Sequence, residues 1–147
     1  MCFYIQDSRP NPLVAKKDII CYKYGTVGPD FKGEEVFYSR YQNYCYRFGE
    51  ETKRVLVLRV KRDSVPYITV GYHSYSNKKT ARHHVTSCRR HITRVNQYRQ
   101  ERLGMGPSED PLTIKVVECI IPKGTRYCYN SEYHEYVSEQ IIIQSIL

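Results

Sequence analysis

The pattern of apolar and polar positions divides the chain into a sheet-forming half, one helix and a second sheet-forming stretch. Residues 19–24, "IICYKY", form a β-branched and aromatic run that reads as a strand. Residues 36–48, "VFYSRYQNYCYRF", alternate aromatic with polar side chains and predict one or two strands. The clearest strand is "RVLVLRVKR" (54–62), with Val55 and Val57 on one face and Leu56, Leu58 and Val60 on the other. "PYITVGYHSY" (66–75) reads as a strand interrupted by Gly71, a point of close approach for backbone or ligand. After the helix come "LTIKVVECII" (112–121), a Pro-Lys-Gly turn, "RYCYN" (126–130) and a final strand within 137–147. The turn-rich "DSRPNPLVAKKD" puts residues 1–18 down as an irregular N-terminal segment of one domain, 1–147.

The period changes between 77 and 103. At 100° per residue, Ala81, Val85, Cys88, Ile92, Val95 and Leu103 fall within an arc of roughly 80°, the stripe of a helix packed on a sheet. Ser76 or Asn77 can cap its start, and Gly104 and Pro107 mark its end. The fold class is therefore α+β, mainly antiparallel sheet with one long basic amphipathic helix.

Charge sharpens this picture. The chain carries a formal +8, and +7 of it lies between Ser76 and Arg102. Lys78, Lys79, Arg82, Arg89, Arg90 and Arg94 occupy the side of the helix away from its apolar stripe. A cationic face so concentrated suits a phosphate backbone, each cation neutralising one phosphate; the competing explanation is an ordinary solvated surface. No helix-turn-helix, zinc-finger spacing or RNP-like aromatic motif accompanies it.

Fifteen Tyr against four Phe and no Trp favour strands with amphipathic surface. Six cysteines include no CxxC pair, and "MCFYIQDSRP" lacks the basic start and apolar stretch of a signal peptide. Reduced thiols in a cytoplasmic protein are expected, with no membrane-spanning segment. His84, Cys88 and His91 have ligand-like spacing on one side of the helix. Without an evident fourth ligand, and with Cys88 in the apolar stripe, no metal site is expected.

No Walker loop, HExxH, serine-hydrolase elbow or nucleotide-binding glycine fingerprint is present. The junction His73-Ser74-Tyr75-Ser76 sets hydroxyls beside the free N–H groups of a helix start, which attracts anions; capping by Ser76 or Asn77 accounts for the same residues without a ligand.

"CYKY", "GYHSYSNKKTA", "CIIPKGTRYCYN" and "EYVSEQIII", taken in order, resemble a reduced form of the mono-ADP-ribosyltransferase pattern. That resemblance implies an NAD-binding α+β enzyme. Lys23 would take the early basic position that holds the pyrophosphate, beside Tyr24. His73, Ser74, Tyr75 and Ser76 would supply the Ser-x-Ser strand end. Glu139 would be the catalytic carboxylate stabilising the oxocarbenium-like state, with Gln140 beside it. The chain has Lys where the family has Arg, and aligning the aliphatic run puts Gln140 at the glutamate position. The same stretches resemble small uncharacterised proteins of bacteriophages and prophages. The leading expectation is a small basic binding protein, encoded by a phage or mobile element, for a phosphate-bearing ligand, a nucleotide or nucleic acid. The alternatives are an NAD-dependent transferase and an inhibitor of a host or phage nucleic-acid-handling protein that acts through the basic helix.

Overall fold

A computed structural model describes residues 3–4, 12–40, 44–53, 57–60 and 66–147. In chain order the elements begin with β1 (Phe3–Tyr4), β2 (Leu13–Val14), β3 (Ile19–Pro29), β4 (Glu35–Ser39), β5 (Cys45–Tyr46) and β6 (Glu51–Lys53). There follow β7 (Val57–Val60), β8 (Pro66–Val70), β9 (Tyr72–Tyr75) and the helix α1 (Lys78–Leu103). A 3-10 turn (Pro111–Thr113) leads into β10 (Ile114–Ile121), β11 (Arg126–Asn130), β12 (Glu135–Ser138) and β13 (Gln140–Ile146). The α+β class read from the sequence is the observed one, and every described ladder is antiparallel.

Two sheets result. A small one orders β1-β8-β7, and a large one orders β2-β11-β12-β9-β3-β10-β13-β6, with β4 paired to β3 and β5 to β4. The run 66–75 is thus two strands in different sheets. Gly71, at φ 153°, sits at the change of sheet. Residues 137–147 likewise form parts of two strands, because the chain bends at Glu139. The N-terminal segment contains pairing: Val14 lies opposite Arg126 and Leu13 opposite Tyr127, while Phe3 and Tyr4 pair with Ile68 and Tyr67. Of the strand expected over 54–62, positions 54–56 and 61–62 lie outside the described residues, as do 5–11 of the N-terminal segment.

The centre of the large sheet is covered on both faces. On one face, Cys21, Val27, Phe37, Tyr46, Tyr72, Val117, Cys119, Ile121, Ile141 and Ile143 form a buried cluster. On the other, α1 sets Ala81, Val85 and Ile92 against Tyr75, Ile114 and Val116, with Tyr22, Tyr24 and Cys88 at the margin. Alternate residues of β3 therefore serve different cores. This packing, more than propensity, holds the helix.

The helix ends are set by local chemistry. Asn77 is the N-cap: its Oδ1 accepts from the Thr80 backbone N–H at 2.7 Å and from Thr80 Oγ1 at 2.7 Å. Gly104 closes the other end in the left-handed region at φ 61°, its N–H returning to the Arg99 carbonyl. Asn77→Ala should cost about 1 kcal/mol, and Asn77→Ser much less, in denaturant unfolding. Equal effects would show that the side-chain oxygen does not matter. No described helix is long and apolar enough to cross a membrane.

Candidate functional site

The solvent face of α1 is the most strongly charged surface described. Lys79, Arg82, Arg90 and Arg94 are exposed, and Lys78 is half-buried. At 100° per residue, Lys79, His83, Arg90 and Arg94 fall within about 60° of one another, opposite Ala81 and Ile92. From Lys79 to Arg94 the stripe runs about 22 Å. Thr86 and Ser87 occupy exposed positions between its cations, and the first acidic side chain along the helix is Glu101, which accepts from Gln97 Nε2 at 3.0 Å.

Every ion pair among the described residues lies elsewhere. Arg40 holds Glu109 at 2.7 Å, Arg47 holds Asp30 at 2.9 Å and Glu34 at 2.8 Å, and Arg126 reaches Glu139 at 3.5 Å. Among the described residues, the exposed helix cations have no carboxylate partner.

Arg89 departs from the expected outward arrangement. Its Nε and Nη2 both donate to the Ile114 carbonyl, at 3.1 and 2.7 Å. Ile114 is the first residue of β10 and lies opposite Thr26 of β3. Arg89 fastens the helix to β10 and keeps its charge, but its guanidinium is turned away from the exposed stripe.

At the start of α1, Asn77, Lys79, Thr80, His83 and His134 line a depression of about 570 Å³. The Ser76 N–H donates to the His134 carbonyl at 2.7 Å, and the Ser76 hydroxyl meets Tyr129 Oη at 3.3 Å. His134 itself stands in the left-handed region at φ 52°. Two imidazoles and Lys79 thus flank the helix start, although Asn77 already satisfies the Thr80 N–H there.

The residues expected around a dinucleotide are spread over three places. Lys23 and Ser74 face the buried cluster that contains Tyr46 and Cys21. Lys23 is 6% exposed, its Nζ donates to the His73 carbonyl and stands 5.5 Å from the Tyr46 ring centroid. Burial lowers the pKa of Lys23, partly offset by the Cys119 and Cys21 thiols. The Ser74 hydroxyl, 2% exposed, has no regular hydrogen-bond partner among the described residues, yet lies near enough to Cys21 to hold that thiol's pKa down. Burial, and then the Lys23 ammonium, lower the pKa of the neighbouring His73 imidazole to about 4.

Tyr24 and Tyr75 face the opposite way, under the helix. His84 stacks against both, at 5.2 Å and 7° from Tyr24 and 4.9 Å and 25° from Tyr75. Burial, then the proximity of His83, lowers the His84 pKa. Glu139 and Gln140 lie at the corner between β12 and β13. The Glu139 carboxylate faces Arg126, and Gln140 Oε1 accepts from Thr125 Oγ1 at 3.2 Å. Among the described residues no group of three or more His, Cys, Asp or Glu side chains is arranged to hold a metal ion.

Three features escape the sequence: the facing of Cys21 and Cys119, the position of Tyr46 beside Lys23, and the approach of His134 to the helix start. Each depends on strand register or on a loop returning from far along the chain. Comparison with family models, curated proteins and solved structures finds no match to this chain.

Proposed function

We propose that this protein binds nucleic acid through the solvent face of α1, contacting the phosphate backbone with Lys79, Arg82, Arg90 and Arg94. The observation that carries this reading is their unpaired state among the described residues, while the described ion pairs all engage arginines off the helix. Cations kept apart from the protein's own carboxylates attract an external polyanion, and the stripe of Lys79, Arg90 and Arg94 along about 22 Å, with Arg82 on its flank, lets several act on one backbone. Lys79 also borders the depression flanked by His83 and His134, so the start of the helix extends the same cationic surface.

The transferase alternative calls on other groups. Lys23 is buried with its amine on the His73 carbonyl, and Glu139 is paired with Arg126. The helix cations, by contrast, stand ready in solvent.

Fluorescence anisotropy with labelled single- and double-stranded oligonucleotides, in parallel with NAD and ATP competition, tests the proposal. Binding to an oligonucleotide that neither small ligand displaces at equal phosphate concentration is the expected result. Absence of oligonucleotide binding at low salt contradicts it, and saturable binding of NAD alone would favour the transferase reading.

A further inference from the structure

Cys21 on β3 and Cys119 on β10 are paired residues in the central antiparallel ladder. Both are fully buried free thiols, and both belong to the same core cluster. Directly opposed residues of an antiparallel pair have Cα atoms about 4.5–5.5 Å apart, and a disulfide takes Cα separations of about 4.4–6.8 Å. Both side chains belong to one buried core, and the Cys119 thiol also reaches the Val117 carbonyl at 3.8 Å. Bond formation therefore needs little backbone movement.

We propose that Cys21 and Cys119 form a redox site, a cross-strand dithiol that hydrogen peroxide converts to an intramolecular disulfide.

The surroundings divide the roles. Burial alone would raise the Cys21 pKa, but the Cys119 thiol, the Ser74 hydroxyl and the Lys23 ammonium outweigh it and lower the value. Burial pushes Cys119 well above the ordinary thiol range. Glu118, on the neighbouring position of β10, opposes ionisation of Cys21 more weakly. Cys21 is thus the attacking thiolate and Cys119 the resolving thiol. The Cys21 sulfur attacks one peroxide oxygen, the O–O bond breaks, and the departing hydroxide takes a proton to leave as water. Cys119 then attacks the sulfenic sulfur, the S–S bond forms and a second water departs. Two sulfurs together lose two electrons, and one peroxide becomes two waters.

The other described cysteines are poor rivals for this pairing. Cys45 is exposed on β5, Cys88 is half-buried on α1, and burial pushes the Cys128 thiol up to about 11. Complete burial of the pair makes oxidation follow transient opening, so Cys45 should react first and the pair later. Once made, the link ties together the two strands whose other face carries the helix.

The test uses the whole chain, as wild type and as Cys45→Ser, which removes the exposed thiol. Each is treated with hydrogen peroxide, unfolded in the presence of an alkylating agent, and digested without reduction. The expected product is a peptide pair joining Cys21 to Cys119, lighter by the two hydrogens lost, together with a rise in the denaturation midpoint. Recovery of both cysteines as alkylated thiols after Cys45 is fully oxidised overturns the proposal. A link from either to a different cysteine, or a linked chain less stable than the reduced one, overturns it as well.

Discussion

Between pH 6.5 and pH 4 the fold should lose up to about 3 kcal/mol of stability through one residue, His73. Its pKa is lowered to about 4 in the folded chain, first by burial and then by the Lys23 ammonium, against about 6.5 when unfolded. Between these values the unfolded chain binds more protons than the folded one, so stability rises with pH across that window. The contribution is fully present above pH 6.5 and is lost as pH falls through 4. A tenfold change in proton affinity corresponds to about 1.4 kcal/mol, which sets the size. His84 also has a lowered pKa and adds to the same acid sensitivity, which makes a difference measurement necessary. Urea unfolding of wild type and His73→Gln at half-unit steps of pH should show the wild type losing stability relative to the variant as pH falls from 6.5 to 4. Parallel curves would mean that His73 keeps an ordinary pKa in the fold.

The helix is legible in the sequence to within a residue, expected over 77–103 and observed as Lys78–Leu103. Its signals are local: a cap oxygen at Asn77, a left-handed glycine at 104, and an apolar stripe between them. The stripe itself needs one correction. Ala81, Val85 and Ile92 are buried, but Leu103 is 53% exposed because the last turn carries its side chain out of the core.

β3 shows why the candidate site is harder to read. A strand covered on both faces loses the alternation that separates inside from outside. Tyr22 and Tyr24 go to the helix side, while Cys21, Lys23 and Val27 go to the opposite core, a choice that no periodicity in "IICYKY" announces. A lysine in such a run reads as solvent-facing, and Lys23 is buried. Gly71 marks a point of close approach in the sequence, but only the pairing partners of β8 and β9 reveal a change of sheet. Arg89 shows the same limit on the helix. Its angle places it beside the other cations, yet the guanidinium turns inward to the Ile114 carbonyl.

The second large effect concerns the cationic stripe. With four phosphate contacts, the slope of log K against log salt should be about −3, from roughly −0.7 to −0.9 per contact. Raising salt from 50 to 200 mM should then weaken nucleic-acid binding roughly 50- to 150-fold. Changing Lys79, Arg82, Arg90 and Arg94 together to Ala should remove most of this dependence and leave the thermal midpoint nearly unchanged, because all four are exposed and make no ion pair among the described residues. Arg89→Ala should do the reverse. It releases the Ile114 carbonyl and destabilises the attachment of the helix, with a smaller effect on the salt slope.

The most direct test is the salt dependence of oligonucleotide binding, measured by anisotropy from 50 to 200 mM for wild type and the four-site variant. A steep wild-type slope of about −3 that flattens in the variant, with both proteins equally folded, is the predicted result. Equal slopes in the two proteins, or no binding by wild type at 50 mM, would contradict the assignment of α1 as a nucleic-acid interface.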